Sequence, residues 1–238
     1  MYGGEIISKI LAREGVEYVF GIIDGTYFGF YSTLKKYGIR LISPRHESMA
    51  AHMAGAYYRV TGKIGVCMAS NGPGVANILP GITVENAEGN RVLLITSKRR
   101  PQITDPDIGG AYQYFNQVDT IKNVVKWSAS VNSLERIPEI VMKALREVWK
   151  GRPGVVHIDI PENFMNAEVE EPPLWEPHQY RRIHRIYPPP DLVREAADML
   201  VNSEKPLIHA GTGVVHARAF MELKKLAELL SSPVTTSW

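Results

Sequence analysis

Residues 45–77 read RHESMAAHMAGAYYRVTGKIGVCMASNGPGVAN, and their pattern indicates a helix, a strand, a loop and a second helix in succession. The small and apolar residues after Glu47 predict a helix that ends at Thr61-Gly62. The apolar run from Ile64 to Ala69 predicts a strand, and the loop Ser70–Asn77 leads into the next helix. A strand that is apolar along its whole length is typical of a parallel sheet covered by helices on both faces.

The same alternation continues on both sides of this stretch. The predicted elements are a helix over 4–14, a strand over Val16–Ile23, a helix over Phe28–Lys36 stopped by Gly38, strands over Arg40–Ser43 and Arg91–Ser97, a helix over 135–150 and a strand over Gly154–Pro161. The last strand is apolar apart from His157 and Asp159. Residues 98–120 are irregular, as a functional loop or lid would be. The predicted fold class is α/β, with a parallel sheet covered by helices on both faces.

A change of composition predicts the domain organisation. Residues 1–167 are expected to form the first domain, and residues 168–190 are too rich in proline for a helix or a central strand and predict a linker. The basic cluster at residues 181–185 within this linker is expected to be solvated.

The segment 191–238 predicts the start of a second, Rossmann-like α/β domain. Its predicted elements are a helix over 191–202, a strand over Pro206–Ala210, a loop over Gly211–Val214, a helix over 217–230 and a strand over Pro233–Thr236. Two strands are too few for a finished domain, so this unit is expected to be incomplete.

Composition argues against several classes of function. The 238 residues carry 27 Lys and Arg against 25 Asp and Glu, and a net charge of +2 does not suggest a nucleic-acid partner. No stretch approaches the roughly 20 apolar residues of a membrane span, and no signal-peptide core is present. The single cysteine, Cys67, excludes an internal disulfide and fits a reducing compartment. We therefore expect a cytoplasmic protein that binds neither nucleic acid nor membrane.

Glu47 is the first candidate for chemistry, because a carboxylate among alanines and methionines is costly to bury without a partner. It is expected either to be exposed by geometry or to serve a reaction. The neighbouring His46 and His52 are interpreted as structural side chains. The loop Ser70–Asn77 lets backbone approach a ligand closely, with a plain strand–helix turn as an equal alternative.

Other motifs give weaker support or none. Gly211-Thr212-Gly213 is a poor match to a dinucleotide-binding loop, because His216 replaces its third glycine. The chain has neither the lysine of a P-loop nor a GxSxG elbow. No spacing of His, Cys and carboxylates is typical of metal ligands, so no metal site is predicted in this chain.

Taken together, these segments resemble thiamine-diphosphate enzymes of the acetolactate synthase type. Residues 45–77 are similar to the core of that family, with R-H-E, an alanine-rich helix, Y-x-R-x-T-G-K, a strand and G-P-G-x-x-N. The segments EGVEYVFGI, YFNQVD, KWS and GRPGVVHIDIP follow in the family's order. PLIHAGTGV and LAELLSSPV resemble the opening of its central domain, so the resemblance covers essentially the whole chain.

The resemblance implies a cofactor and roles for individual residues. Thiamine diphosphate is the implied cofactor. Glu47 is the implied catalytic residue, which hydrogen-bonds the pyrimidine ring and promotes loss of the proton from the thiazolium carbon. The implied cofactor-binding residues are Gly72, Pro73, Asn77 and Gly25. The implied substrate-facing residues are Asp24, Thr26, Asn116 and Gln117.

Two departures from the family pattern bear on these expectations. Ile23 and Asp24 stand where relatives carry the proline and first glycine of a P-G-G loop, which leaves a substrate other than pyruvate open. The chain also lacks the GDG motif with which the family holds the diphosphate and Mg²⁺. Both are therefore expected on a domain not present in this chain, supplied by the rest of a longer chain, which we favour, or by a partner chain.

The sequence thus predicts an enzyme that decarboxylates or ligates a 2-keto acid, with this chain supplying the pyrimidine-binding half of the site. The implied assembly is a homodimer or tetramer. FAD stays open, because some relatives bind it in the central domain. The alternatives are sulfoacetaldehyde acetyltransferase, oxalyl-CoA decarboxylase or benzoylformate decarboxylase types, a non-catalytic assembly partner, and a generic nucleotide-binding domain.

Overall fold

The computed structural model describes residues 1–107, 109–181 and 187–237. Its internal contacts divide the chain into two compact units, Met1–Arg182 and Ile183–Trp238. We describe each unit by itself. The domain bounds expected from composition, at 167 and 191, stay a prediction.

The first unit is built on a six-stranded sheet in which every neighbouring pair of strands is parallel. The strands are β1 (Tyr18–Gly21), β2 (Arg40–Ile42), β3 (Gly65–Ala69), β4 (Val92–Lys98), β5 (Trp127–Ser130) and β6 (Val155–Pro161). Their order across the sheet is β2-β1-β3-β4-β6-β5. The central strands β3, β4 and β6 are buried almost throughout, which is the pattern of a parallel sheet covered on both faces.

Helices connect these strands. They are α1 (Gly3–Arg13), α2 (Phe28–Tyr31), α3 (Glu47–Thr61), α4 (Pro73–Ala87), α5 (Pro101–Thr104), α6 (Gln117–Ile121), α7 (Ile137–Trp149), α8 (Glu162–Asn166) and α9 (Pro177–Tyr180). Two hydrophobic layers result. In β4, Leu93 and Ile95 join the layer containing α1 and α7, whereas Val92 and Leu94 join the layer containing α3 and α4. This alternation follows from the two-residue period of a strand and confirms the predicted fold class.

The prediction of one helix over Phe28–Lys36 is wrong. The chain instead forms a 3₁₀ turn over Gly25–Tyr27, the short helix α2 and a second 3₁₀ turn over Leu34–Tyr37. Gly38 ends this segment as expected, with a left-handed φ of 75°. The hydroxyl of Thr33 bonds the carbonyl oxygens of Gly29 and Phe30, and such side-chain bonds compete with a regular helix.

Strand β5 was not predicted from the sequence. Its four residues are all half-buried, and the strand pairs with β6 at one edge of the sheet. A short edge strand without an alternating or continuous apolar run gives no periodic signal. Within the irregular region 98–120, the structure adds the short helices α5 and α6.

The described part of the proline-rich segment packs on the first unit. Tyr180 belongs to its hydrophobic core, and its hydroxyl bonds the carboxylate of Glu14. The Arg181 guanidinium also bonds Glu14, at 2.7 Å, so the expectation of a solvated basic cluster is wrong for Arg181. The other residues of that cluster, 182–185, lie outside the described residues.

The second unit contains α10 (Pro190–Val201), α11 (Thr212–Ala217), α12 (Phe220–Leu230) and the parallel strands β7 (Ile208–Ala210) and β8 (Val234–Thr236). Helix α11 corrects the predicted loop at Gly211–Val214. Gly213 has no left-handed φ and lies inside the helix. Arg218, in the left-handed conformation, separates α11 from α12, which therefore begins later than residue 217. None of the helices described in either unit has the length and apolarity required to cross a bilayer.

Helix α3 lies on the sheet at a point where no side chain intervenes. A Cβ on Gly65 of β3 would collide with the carbonyl oxygen of Ala54 and lie 2.6 Å from its carbonyl carbon. The neighbouring helix α4 approaches equally closely, because a Cβ on Gly81 would lie 2.6 Å from the Ser48 carbonyl oxygen. His46 caps the start of α3 by accepting the Ser48 N–H on Nδ1 (3.2 Å). These contacts determine the position of Glu47, the first residue of α3.

We expect Gly65→Ala to destabilise the first unit by about 1–3 kcal/mol, because the added methyl meets backbone that cannot move aside cheaply. Urea unfolding, monitored by circular dichroism, measures the change in the free energy of unfolding. The control is Gly213→Ala, where a Cβ meets no atom within 4 Å. A Gly65→Ala variant as stable as the wild-type protein would contradict the close approach of α3 to β3.

Candidate functional site

The candidate site lies at the carboxyl edge of the parallel sheet, where loops in α/β proteins collect ligands. The loops that follow β1, β3 and β4 meet there, together with the start of α3. The sequence-predicted residues fall on these segments. They are Asp24, Gly25 and Thr26 after β1, Glu47 on α3, Gly72 to Asn77 after β3, and Asn116 and Gln117 after β4.

Glu47 and Asn77 form the central pair of the site. The Asn77 side-chain amide donates to Glu47 Oε2 at 3.1 Å, which joins the starts of α3 and α4. Gly74 lies beside them, and a Cβ on it would be in ordinary contact with Glu47 Oε1 at 3.6 Å. Glu47 is half-buried and Asn77 is exposed, so the carboxylate has a partner and an open side.

The loop after β3 is shorter than predicted, because α4 already begins at Pro73. Asn77 therefore lies in the second turn of that helix. Gly72 has a φ of +65°, which favours glycine, and a Cβ on it would lie 2.7 Å from the Gln113 carbonyl oxygen. The Asn71 amide donates to the same carbonyl oxygen at 2.9 Å. The backbone at Gln113 thus covers the glycine turn.

The loop after β1 is held by its own side chains. Asp24 Oδ1 accepts the Thr26 N–H at 2.9 Å and the Thr26 hydroxyl at 2.6 Å, which caps the 3₁₀ turn that follows. The Asn166 amide donates to the Gly25 carbonyl oxygen at 3.1 Å. Burial raises the pKa of the Tyr27 hydroxyl, and the nearby negative charges of Asp24 and Glu47 raise it further.

Ser97 joins the loop after β1 to the loop after β3. Its hydroxyl lies 2.6 Å from Thr26 Oγ1 and accepts the Asn71 N–H at 3.1 Å. The side chain is fully buried at the end of β4. The two loops are therefore fixed relative to each other through one hydroxyl group.

Asn116 and Gln117 lie in different surroundings although they are adjacent. Asn116 is exposed and caps α6 by accepting the Asp119 N–H at 3.1 Å. Gln117 is only 2% exposed, and its amide bonds Gly72, Ser97 and Asp159 within the chain.

A buried row of polar side chains supports Gln117 from behind. Asp159 Oδ1 accepts the Thr96 hydroxyl at 2.6 Å, and Thr96 Oγ1 lies 2.8 Å from His157 Nε2. The Ser128 hydroxyl lies 2.7 Å from His157 Nδ1. Burial raises the pKa of the Asp159 carboxyl to about 6, although hydrogen bonds from Thr96 and Gln117 and the charge of Lys98 oppose that rise. Burial also lowers the pKa of His157 to about 3.

Sequence reasoning did not single out Ser97, Thr96 or this buried row. One signal was present, since His157 and Asp159 are the two polar residues of an apolar strand and lie two positions apart. Residues at that spacing share one face of a strand. Their partners on β4 and α6 come from distant parts of the chain, which a single sequence does not connect.

The other histidines of the α3 region have structural contacts. His46 caps α3, and His52 Nδ1 lies 2.7 Å from Oε1 of the buried Glu85. Among the residues that the structure describes, no three His, Cys, Asp or Glu side chains are grouped as metal ligands would be.

Comparison with known proteins identifies two matching family models. The model described as "Thiamine pyrophosphate enzyme, N-terminal TPP binding domain" matches residues 1–121. The model described as "Thiamine pyrophosphate enzyme, central domain" matches residues 193–238.

Curated relatives extend this similarity over the whole chain. The probable acetolactate synthase large subunit of Methanocaldococcus jannaschii is 32% identical over 247 residues, which cover 100% of this chain and 40% of the relative. The acetolactate synthase of Arthrospira platensis is 33% identical over 244 residues, covering 99% and 41%. Human 2-hydroxyacyl-CoA lyase 1 is 32% identical over 238 residues, covering 97% and 39%. This chain spans about two fifths of the length of these relatives.

The raised pKa of Asp159 predicts a specific effect of pH on stability. Burial holds the folded-state pKa at about 6, above the ordinary aspartate value of 3.8, so the folded protein loses stability as the pH rises through this window. The loss across the window is about 3 kcal/mol. Asp159→Asn has no carboxyl to titrate, so we expect its free energy of unfolding to rise relative to that of the wild-type protein between pH 4 and pH 6, that is, the variant becomes relatively more stable.

Urea unfolding across that pH range measures this difference. Asp119→Asn is the control, because the hydrogen bond from Lys122 lowers the pKa of the exposed Asp119 carboxyl and the pH dependence should have the opposite sign. A flat difference between Asp159→Asn and wild type would contradict a buried, titrating Asp159.

Proposed function

The chain belongs to the thiamine pyrophosphate enzyme family, and on that premise we propose that it supplies the pyrimidine-binding half of a thiamine diphosphate site. The proposed reaction is decarboxylation or carboligation of a 2-keto acid, of the acetolactate synthase type. The names of the relatives from Methanocaldococcus jannaschii and Arthrospira platensis support this choice.

The observation that carries the proposal is the half-buried carboxylate of Glu47 at the start of α3, which bonds Asn77 and has an open side. Its one hydrogen bond in the described structure comes from Asn77, which leaves acceptor capacity on the carboxylate. A ring nitrogen of an aminopyrimidine is a group that such a carboxylate can bond. Pro73 at the start of α4 and Asn77 beside the carboxylate are both exposed, so an apolar ring and an amide are accessible to a flat aminopyrimidine, and the residues present fit that group.

The candidate site residues then have distinct proposed roles. When bound, thiamine diphosphate supplies the nucleophilic carbon and the electron sink for bond cleavage beside a carbonyl. Glu47 holds a proton at the pyrimidine nitrogen, and Asn77 orients its carboxylate. Gly72 and Pro73 form the surface against which the ring lies. Gly25, held through its carbonyl by Asn166, contributes from the opposite loop.

Substrate recognition is proposed for the loop after β1 and for Asn116. Thr26 lies at the carboxyl edge of the sheet. Asn116 is exposed and follows shortly after Gln113, whose backbone covers the Gly72 turn. Asp24 accepts both hydrogen bonds from Thr26 with one carboxylate oxygen. This capping role explains why an aspartate stands here, and it does not require contact with a substrate. Turnover with a panel of 2-keto acids therefore identifies the substrate.

The wider assembly also belongs to the proposal. We assign the diphosphate and Mg²⁺ to a domain outside this chain. We propose a homodimer or tetramer, supported by the exposed apolar side chains of Met49, Val60 and Val84 on α3 and α4. A reducing compartment such as the cytoplasm is supported by Cys67, a fully buried free thiol.

We expect Glu47→Gln to reduce kcat by about a hundredfold or more, because the amide cannot exchange a proton with the pyrimidine. Turnover is measured on the complete enzyme, including the domain that holds the diphosphate, with thiamine diphosphate, Mg²⁺ and a panel of 2-keto acids, pyruvate first. Glu88→Gln is the control, since Glu88 is an exposed carboxylate at the opposite end of α4. Wild-type activity in Glu47→Gln would refute the role of Glu47, and no cofactor-dependent turnover by the complete wild-type enzyme would refute the proposed function.

A further inference from the structure

We propose that Gln117 is a positioning residue that fixes the Gly72–Pro73 turn for the cofactor. This inference rests on the proposed function, because the turn matters for catalysis only if it receives the pyrimidine. It assigns to Gln117 a task other than the contact with substrate expected from the sequence.

Every polar atom of the Gln117 side chain has a partner in the chain. Its Oε1 accepts the Gly72 N–H at 2.9 Å. Its Nε2 donates to the Ser97 carbonyl oxygen at 2.9 Å and to Asp159 Oδ1 at 2.8 Å. With 2% of the residue exposed, the amide is enclosed between the glycine turn and the sheet.

The orientation of this amide has one solution. At pH values above the Asp159 pKa of about 6, both hydrogens of Nε2 face acceptors that have no proton to give, namely a backbone carbonyl and a carboxylate. A flipped amide would bring Oε1 against these two acceptors and the NH₂ group against the Gly72 N–H. The partners therefore direct Oε1 toward Gly72 and hold its N–H in one place.

The row behind Gln117 keeps Asp159 in the accepting role. Because the Thr96 hydroxyl gives its proton to Asp159, His157 must donate to Thr96 through Nε2–H. His157 Nδ1 then accepts the proton of Ser128. Each hydrogen bond in this row thus has one direction, which ends at the carboxylate that orients Gln117.

The turn itself depends on such support. Gly72 has a φ of +65°, precedes the first residue of α4 and is covered by the backbone at Gln113. Its N–H would be an unsatisfied buried donor without Gln117, and its conformation sets the direction in which Pro73 and α4 begin. Asn77, one turn further along that helix, bonds Glu47. Gln117 therefore acts on the candidate site through the start of α4.

The test uses Gln117→Glu and Gln117→Met in the complete enzyme, including the domain that holds the diphosphate. The introduced carboxylate in Gln117→Glu cannot donate to Ser97 or Asp159 unless it is protonated, and two adjacent carboxylates share a proton only at lower pH. The charged and titratable groups facing it are Asp159 and His157 on β6, Lys98 at the end of β4, and Tyr114 before α6. Gln117→Met keeps the length of the side chain and has no such pH dependence.

Two quantities are measured at pH 5.5 and pH 8, namely amide hydrogen exchange at Gly72 without ligand and the dissociation constant of thiamine diphosphate. At pH 8 we expect both variants to exchange Gly72 about tenfold faster than wild type at the same pH and to bind thiamine diphosphate about tenfold more weakly. At pH 5.5, Gln117→Glu alone should return toward wild type. Gln102→Glu, an exposed glutamine on α5, is the control for added charge.

The outcomes separate the two proposals. Unchanged Gly72 exchange in both variants, or faster exchange with unchanged cofactor affinity, overturns the positioning role. If the complete wild-type enzyme does not bind thiamine diphosphate, the proposed function fails, while the exchange at Gly72 still decides whether Gln117 holds the turn. If Gln117→Met still unfolds cooperatively, faster amide exchange at Gly72 reflects a local change and not a loss of the fold.

Discussion

The close backbone contacts of α3, with β3 at Gly65 and with α4 at Gly81, are the constraint on which the candidate site depends. Gly65 and Gly81 let backbone approach backbone, and the small residues of α3 fill the remaining space. Only at this separation can the Asn77 amide of one helix reach the Glu47 carboxylate of the other at 3.1 Å. Larger residues at the two glycines would move the helix starts apart, so packing beneath the site determines hydrogen bonding within it.

Much of the fold could be predicted because its signals are local. The apolar runs of β3, β4 and β6 mark buried parallel strands, and the glycines after α3 and at residue 38 mark the ends of their segments. The errors occur where local signals are weak or compete. Strand β5 has no apolar period, and the segment after β1 is divided by side-chain hydrogen bonds to its own backbone.

Some residues of the candidate site could likewise be predicted from local sequence, whereas others depend on contacts between distant parts of the chain. Glu47 stands out in the sequence as a charge among alanines, and Gly72 as part of a strand–turn–helix. The hydroxyl of Ser97 and the amide of Gln117 carry no comparable signal, because their partners lie 20 to 71 positions away along the chain. Their roles follow from the parallel order of the strands, which brings separate loops to one edge.

The buried ion pair between Glu14 and Arg181 has a consequence for dissecting the protein. The Glu14 side chain is fully buried and bonds both the Arg181 guanidinium and the Tyr180 hydroxyl. A first unit cut at residue 167 would remove both partners of that carboxylate, together with the Tyr180 ring that belongs to the hydrophobic core, which is destabilising. The proline-rich segment as far as residue 181 therefore serves the first unit as a structural strap, and a stable isolated unit must include it.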